Sequence, residues 1–155
     1  MKLLIRLLIG VGISLAAAAA SLPYDDAADA HAALERGQSE ARSQRKDVLV
    51  IFGANWCEDC RDLDKAMHGS SASLIDSRFV VVKIDVGNFN KNLDLAKRYG
   101  NPIQKGIPAA VLLTPGDQVL YSTKAGELAN ARRMGDRGIY DFFSKVLPPQ
   151  SGAAP

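Results

Sequence analysis

Residues 53–69, GANWCEDCRDLDKAMHG, contain the only two cysteines of the chain, Cys57 and Cys60. They follow residues 47–52, DVLVIF, a short apolar run rich in β-branched residues that predicts a buried strand. Apolar residues then recur at helical spacing, and Gly69 is a typical helix end. Cys57 is therefore predicted at a helix start, where unpaired N–H groups and the helix dipole stabilise a thiolate. Cys60, one turn deeper on the same face, can resolve a mixed disulfide.

Two cysteines at this spacing are compatible with three kinds of site. A structural bridge would close so short a loop that it would restrict the unfolded chain little. A zinc site needs four ligands, which the two histidines of the chain, His31 and His68, would have to complete. Thiol–disulfide exchange is the interpretation that makes use of the short spacing, and it is the one we favour.

The first residues have the layout of a secretory signal peptide. Lys2 and Arg6 precede an uncharged run, and a series of small residues ends at Ala20, so residues 1–20 are predicted to be a cleaved leader. The alternative is an uncleaved anchor, but the strongly apolar part, residues 7–15, is shorter than the ~20 residues of a spanning helix. We expect a periplasmic protein with no stable membrane insertion after the signal is removed.

The charge balance argues against two classes of partner. The chain carries 19 basic and 17 acidic side chains, and the two numbers become equal once Lys2 and Arg6 leave with the leader. Nucleic acids and anionic membranes both favour a basic surface, so neither is expected as a partner. The remaining length is that of one domain, which we place at residues 24–147, and residues 148–155, PPQSGAAP, have the composition of a disordered tail.

Hydrophobic periodicity predicts a single α/β domain. Helices are predicted at residues 24–45, with Gly37 as a weak point, at 92–99 and at 139–146; further strands are predicted at 79–86, 109–114 and 119–124. The last two strands flank a turn at residues 115–117 and should form an antiparallel hairpin. Alternating helices and strands followed by a hairpin and a helix make a sandwich around one sheet.

Two motifs together resemble a known family. WCEDC (residues 56–60) follows an apolar strand, and GIP (residues 106–108) precedes another strand, with Gly126 after the hairpin. This combination resembles the thioredoxin fold over residues 24–147. It is most similar to periplasmic thioredoxin-like proteins and to the C-terminal thioredoxin domain of the transmembrane electron transporter for disulfides. The resemblance implies an α/β fold with a central mixed sheet flanked by helices.

The resemblance also implies roles for individual residues. Cys57 is implied as the attacking thiol and Cys60 as the resolving thiol. Pro108 is implied as a cis proline beside them, an isomer that only proline adopts at low cost, and the Ile107 backbone as the pairing partner of an extended substrate. The substrate-binding residues implied in this way are Trp56, Ile107, Pro108 and Gly126. The alternatives are an ordinary buried aromatic at Trp56 and a trans proline at a strand start.

One departure from the family concerns the path of the proton. Thioredoxins usually carry a buried aspartate on the strand, six positions before the first cysteine, and Ile51 occupies that position here. Asp64, four residues after Cys60 on the same helical face, is the candidate substitute. The alternative is that Asp64 is one of several solvated surface charges.

The second departure is the acidic pair between the cysteines. Glu58 and Asp59 place negative charge close to Cys57, which disfavours its thiolate. A less stable thiolate means a less stable reduced form, so the acidic pair favours the reducing direction. Arg61 and Lys65 are expected to offset part of this effect.

These features predict a periplasmic thiol:disulfide oxidoreductase that acts mainly as a disulfide reductase. Its substrates would be disulfide-bearing proteins, its electron donor a membrane electron transporter, and neither a small-molecule cofactor nor a metal is implied. A disulfide oxidase or isomerase is the alternative within the same chemistry. A non-catalytic adaptor, or a metallochaperone that holds a soft metal through both thiolates, is the alternative from another class.

Overall fold

The sheet has four strands in the order β2-β1-β3-β4. The computed structural model describes residues 22–147, and the predicted leader and tail lie outside the described residues. The strands are β1 (Asp47–Gly53), β2 (Phe79–Asp85), β3 (Ala109–Leu113) and β4 (Val119–Ser122). β1 pairs in parallel with β2 and antiparallel with β3, and β3 pairs antiparallel with β4. The predicted mixed sheet and hairpin are therefore confirmed.

The described residues form five α-helices around this sheet. They are α1 (Ala30–Gln44), α2 (Glu58–His68), α3 (Ala72–Arg78), α4 (Leu93–Arg98) and α5 (Ala131–Val146), with a 3-10 turn at Pro102–Lys105. α1 packs on β1 and β2, and α2 packs on α5 and α3. Across residues 22–147, none of the helices is long and apolar enough to cross a membrane.

β1 occupies the centre of the core. Its residues from Val48 to Gly53 are all buried, so the strand is covered on both faces of the sheet. This burial explains why residues 47–52 are a continuous apolar run instead of an alternating one. The cysteine-bearing loop therefore follows a strand in which six consecutive residues are buried.

The first helix is shorter than predicted. Helix was expected from residue 24, but α1 begins at Ala30, so the prediction was wrong for residues 24–29. The physical reason is the cap at Asp29, whose side chain accepts a hydrogen bond from the Ala32 N–H at 3.1 Å. Gly37, predicted to be a weak point, is buried inside α1 and lies directly against Val82 of β2.

The last helix is longer than predicted. Helix was expected at residues 139–146, but α5 begins at Ala131 and continues across Gly135, which has a non-helical φ of 60°. That break interrupts the apolar period, which is why only the second half of the helix was apparent. The short helix α3 and the 3-10 turn were not predicted, since each has too few residues for a periodic pattern to emerge. The other predicted elements lie within about two residues of the observed ones.

Candidate active site

The cysteine pair lies at the first turn of α2. Cys57 is the N-cap of the helix, with extended φ and ψ of −77° and 113°, and its Sγ accepts the Cys60 N–H at 3.2 Å. The two cysteines are joined by a disulfide, so the structure is that of the oxidised form. Cys57 is 6% exposed and Cys60 is 1% exposed. Cys57 is thus the more exposed of the two residues, and its sulfur lies where the N–H groups of a helix start favour a thiolate.

The loop before β3 lies against this disulfide. Cys57 Sγ is 3.7 Å from the Ile107 carbonyl oxygen, and the Ile107–Pro108 peptide bond is cis. The structure therefore brings Cys57, Ile107 and Pro108 together. Gly126 packs closely against the start of this loop. It has φ +74°, and a Cβ at that position would lie 2.8 Å from the Lys105 carbonyl oxygen, so the contact requires glycine.

Trp56 forms an exposed apolar surface beside the cysteines. Its side chain is 53% exposed, so it is not an ordinary buried aromatic. Its indole N–H donates to the Gly87 carbonyl oxygen at 2.9 Å, and its ring centroid lies 6.2 Å from that of Phe89. Phe89 is itself 43% exposed. The sequence offered no periodic signal for Phe89, which lies in the loop after β2.

The acidic pair between the cysteines contacts α5. Glu58 forms an ion pair with the Arg132 guanidinium, and Asp59 Oδ1 lies 3.4 Å from Arg132 Nε. Asp59 Oδ1 also accepts the backbone N–H of Arg132 at 3.0 Å. The hydrogen bond to Asp59, followed by the charges of Asp59 and Glu58, raises the pKa of Arg132. Arg61, whose partial offset of the acidic pair stays a prediction, donates from Nη1 to the Asn55 carbonyl oxygen at 2.7 Å.

Asp64 is a half-buried ion-pair partner. It pairs with Lys83 of β2, and its Oδ1 lies 3.3 Å from His68 Nδ1. Of the two sequence interpretations, the solvated charge does not describe this paired, half-buried carboxylate. Asp64 lies one turn beyond Cys60, as the helical spacing predicted.

The two histidines lie in separate ion pairs. His31 Nε2 lies 2.7 Å from Asp94 Oδ2, and that hydrogen bond lowers the pKa of Asp94, while His68 contacts Asp64. Among residues 22–147 no group of three or more histidine, cysteine, aspartate or glutamate side chains is arranged to hold a metal ion. The contacts of the histidines therefore give the zinc interpretation no support.

The sequence and the fold resemble those of several known proteins. Residues 29–115 match the model of a family described as Thioredoxin-like. A thioredoxin of Buchnera aphidicola subsp. Baizongia pistaciae (strain Bp) is 31% identical over 103 residues, which are 66% of this chain and 81% of that protein. The disulphide isomerase of Xylella fastidiosa Temecula1 is 52% identical with a TM-score of 0.79, and the match covers 83% of this chain and 98% of that one.

A more distant structure shares the fold alone. The DsbD C-terminal domain of Neisseria meningitidis, in its oxidised form, is 20% identical with a TM-score of 0.50. The match covers 77% of this chain and 97% of that one. These two solved structures therefore share the fold of this chain over most of their own length.

Proposed function

The chain belongs to the thioredoxin-like family and is a thiol:disulfide oxidoreductase, and from this premise we propose that it reduces protein disulfides in the periplasm. The observation that carries the proposal is the position of Cys57, capping α2 and 3.7 Å from the Ile107 carbonyl oxygen. An extended substrate segment beside Ile107 would place its disulfide next to the one sulfur that the helix start activates.

The reaction consists of two exchanges. The Cys57 thiolate attacks one sulfur of the substrate disulfide, which forms a mixed disulfide and releases the first substrate thiol. Cys60 then attacks Cys57 Sγ, releases the second substrate thiol and leaves the Cys57–Cys60 disulfide that the structure contains. Two electrons pass from the protein dithiol to the substrate.

The charges around the pair support the reducing direction. Glu58 and Asp59 lie at the first turn of α2, where they oppose the effect of the helix start on the Cys57 thiolate. Arg132 offsets part of their charge, but it is one cation against two carboxylates. The reduced form is therefore less favoured than in a site without the acidic pair, and a less favoured reduced form is a stronger reductant.

The sequence supports the proposed location, and the chemistry supports the proposed electron supply. The leader-like residues 1–20 support export, and we place the protein in the periplasm. That compartment is oxidising, so a reductase there needs electrons from outside it. A membrane electron transporter is the donor we propose, with disulfide-bearing proteins as the substrates.

Exchange of each cysteine for serine tests the proposal. Cys57→Ser should abolish disulfide reduction in an insulin assay, because it removes the attacking thiol. Cys60→Ser should instead accumulate mixed disulfides, because the second exchange can no longer occur. If Cys60 reacted first with an alkylating agent near neutral pH, the two roles would be reversed.

Isomerisation is a second candidate because a protein that is 52% identical is described as a disulphide isomerase. In isomerisation a substrate thiol, and not Cys60, resolves the mixed disulfide. Reactivation of scrambled ribonuclease measures this activity. If Cys60→Ser leaves the rate of ribonuclease reactivation unchanged, isomerisation is favoured. If Cys60→Ser lowers that rate together with the rate of insulin reduction, the reductase is favoured.

A further inference from the structure

The segment before α1 is tied to the loop that carries the cysteines. Asn55 Nδ2 donates to the Tyr24 carbonyl oxygen at 2.7 Å, and the Tyr24 N–H donates to Asn55 Oδ1 at 2.9 Å. Lys91 Nζ adds a hydrogen bond to the Asp26 carbonyl oxygen at 3.0 Å. Two opposed hydrogen bonds to one side chain fix both the position and the direction of Tyr24, so this residue is held to the active-site loop.

The side chain of Tyr24 reaches the buried side of the disulfide. Tyr24 is only 4% exposed. A Cβ built on Gly53 would lie 2.2 Å from the Tyr24 hydroxyl oxygen and 2.9 Å from Cys60 Sγ. The hydroxyl group and the sulfur therefore border the same small space, which stays open because residue 53 has no side chain.

The Tyr24 hydroxyl group is suited to donate a hydrogen bond and not to accept a proton. Burial, with smaller contributions from the charges of Asp64 and Asp85, raises the pKa of Tyr24 well above its usual value. The phenol therefore keeps its proton throughout the physiological pH range. Burial disfavours the charged form of a thiol, so a buried thiolate needs a hydrogen-bond donor. Ile51 has no polar group and cannot supply one, whereas the neutral Tyr24 hydroxyl group can.

We propose that Tyr24 assists Cys60 directly: its hydroxyl group donates a hydrogen bond to the Cys60 sulfur while that sulfur resolves the mixed disulfide. The inference rests on the proposed function, since it concerns the second of the two exchanges. Tyr24 thus stabilises the Cys60 thiolate that forms before the attack, without taking its proton.

The step balances without any further reactant. Cys60 loses its proton, and its sulfur forms a bond to Cys57 Sγ. The bond between Cys57 Sγ and the substrate sulfur breaks, and the electron pair leaves with the substrate sulfur. The released substrate thiolate takes up a proton through water, so the net proton transfer is from Cys60 to the leaving thiol. Tyr24 holds the same proton before and after.

Reaction of the reduced protein with Ellman's reagent separates the two exchanges. The first thionitrobenzoate is released when Cys57 attacks, and the second when Cys60 resolves the mixed disulfide. Tyr24→Phe keeps the ring and removes the hydroxyl group. The first release should keep its rate, and the second should slow at least about tenfold, as expected for the loss of a hydrogen bond to a charged group. Tyr140→Phe, on the exposed face of α5, is the matched control and should change neither rate.

The pKa of Cys60 gives a readout that a purely structural role would not move. In a Cys57→Ser background, Tyr24→Phe should raise the pKa of Cys60, measured by the pH dependence of thiolate absorbance. Fluorotyrosine at position 24 keeps both the ring and the hydroxyl group. Its phenol is more acidic and donates a stronger hydrogen bond, so the second release should be faster.

Three results would overturn the role of Tyr24. They are an unchanged second release in Tyr24→Phe, an equal slowing of both releases, and an unchanged or slower second release with fluorotyrosine. Absence of the first release in the unsubstituted protein would instead count against the proposed function itself, so the two failures can be told apart.

Discussion

Arg132 places a positive charge from a different helix next to the acidic pair. It contacts Glu58 and Asp59 although 74 and 73 residues separate them along the chain. The charge near Cys57 therefore depends on the packing of α5 on α2 as well as on Glu58 and Asp59 between the cysteines. By pairing with Glu58 and Asp59, Arg132 should reduce their unfavourable effect on the Cys57 thiolate.

Removal of this charge should shift the redox couple. In Arg132→Gln the two carboxylates lose their cation, so the pKa of the Cys57 thiol should rise and the redox potential should move in the reducing direction. Thiolate absorbance and equilibration with glutathione measure the two quantities, which should move together. Both shifts should shrink at high salt, because the Debye length is only ~10 Å at 0.1 M.

The neighbouring arginine provides the control for this experiment. Arg133 is exposed on the same turn of α5, so Arg133→Gln changes the net charge by the same amount. An equal shift in that variant would show a general charge effect and contradict the specific role of Arg132. The pair Glu58→Gln with Asp59→Asn should shift the pKa of Cys57 downward, opposite to Arg132→Gln.

Residues in short motifs were the ones that the sequence predicted. Cys57 and Cys60 were predicted from the strand-to-helix pattern around them, and Pro108 was implied by the resemblance to thioredoxins. Tyr24 and Arg132 reach the same site from distant parts of the chain, and local spacing does not encode such contacts. Asn55 was available as a signal, since an amide beside the cysteines can hold a passing backbone segment, but its partner was not predictable.

At the level of the element, Gly37 determines how closely α1 approaches the sheet. A Cβ at this position would lie 2.3 Å from Val82 Cγ2, closer than atoms can pack. Gly37 therefore allows the helix to approach β2, and its low helix propensity is the cost of that contact.

Gly37→Ala should destabilise the protein. Alanine would improve the propensity of α1 by about 1 kcal/mol, but the overpacking against Val82 should cost about 1–3 kcal/mol. We expect a net loss of about 1 kcal/mol in the free energy of unfolding, measured in urea.

Two further variants decide between packing and propensity. Ser39→Ala, on the exposed face of α1, should be neutral or slightly stabilising. In a Val82→Ala background, Gly37→Ala should cost less stability than it does in the unsubstituted protein, because the Cγ2 atom that the new Cβ would meet is absent. A Gly37→Ala protein more stable than the unsubstituted one would contradict the packing account.

Strands were easier to predict than helix ends. β1 and β2 are continuous apolar runs because both faces of each are largely covered, and such runs are visible without any structure. Helix ends depend on single caps and breaks, such as Asp29 before α1 and Gly135 inside α5. Those two positions account for the largest errors in the predicted boundaries.

Across the molecule as a whole, the hydrogen bonds of Glu127 hold the loop after β4 in place. Its carboxylate accepts the N–H groups of Lys124 and Ala125 at 3.0 Å each and the Tyr121 hydroxyl group at 3.3 Å. Burial alone would raise the pKa of Glu127, but these hydrogen bonds lower it on balance. The neighbouring Gly126 packs on the turn before Ile107, so this loop connects the hairpin to the active site.

The depressed pKa of Glu127 predicts a loss of stability in acid. The group has a lower pKa in the folded than in the unfolded state, so its contribution is complete above the unfolded value of 4.5 and is lost as pH falls through the folded value. Glu127→Gln should remove this contribution, and its unfolding free energy should therefore fall less than that of the unsubstituted protein between neutral pH and acid.

Urea unfolding at several pH values measures this difference. Glu35→Gln, an exposed substitution on α1, is the control and should leave the pH dependence unchanged. Identical curves for Glu127→Gln and the unsubstituted protein would show that the loop does not contribute to acid sensitivity.

The fold class was predictable because its determinants are distributed along the chain. Alternating elements followed by a hairpin restrict the arrangement to a few sandwiches around one sheet. The resemblance to thioredoxins then selected the mixed sheet. The N-terminal segment was not predictable, because residues 24–29 have a helix-compatible composition and are held by hydrogen bonds to Asn55 and Lys91 instead.

The form of β4 bears on how the protein handles extended chains. β4 has four residues at the edge of the sheet, and its register shifts so that Leu112 faces Tyr121 while Leu113 faces Val119. A short, irregular edge offers few aligned backbone groups for another strand to join. This edge of the sheet is therefore protected against pairing with an exposed strand of another molecule, so the protein resists growth into β-aggregates along this side.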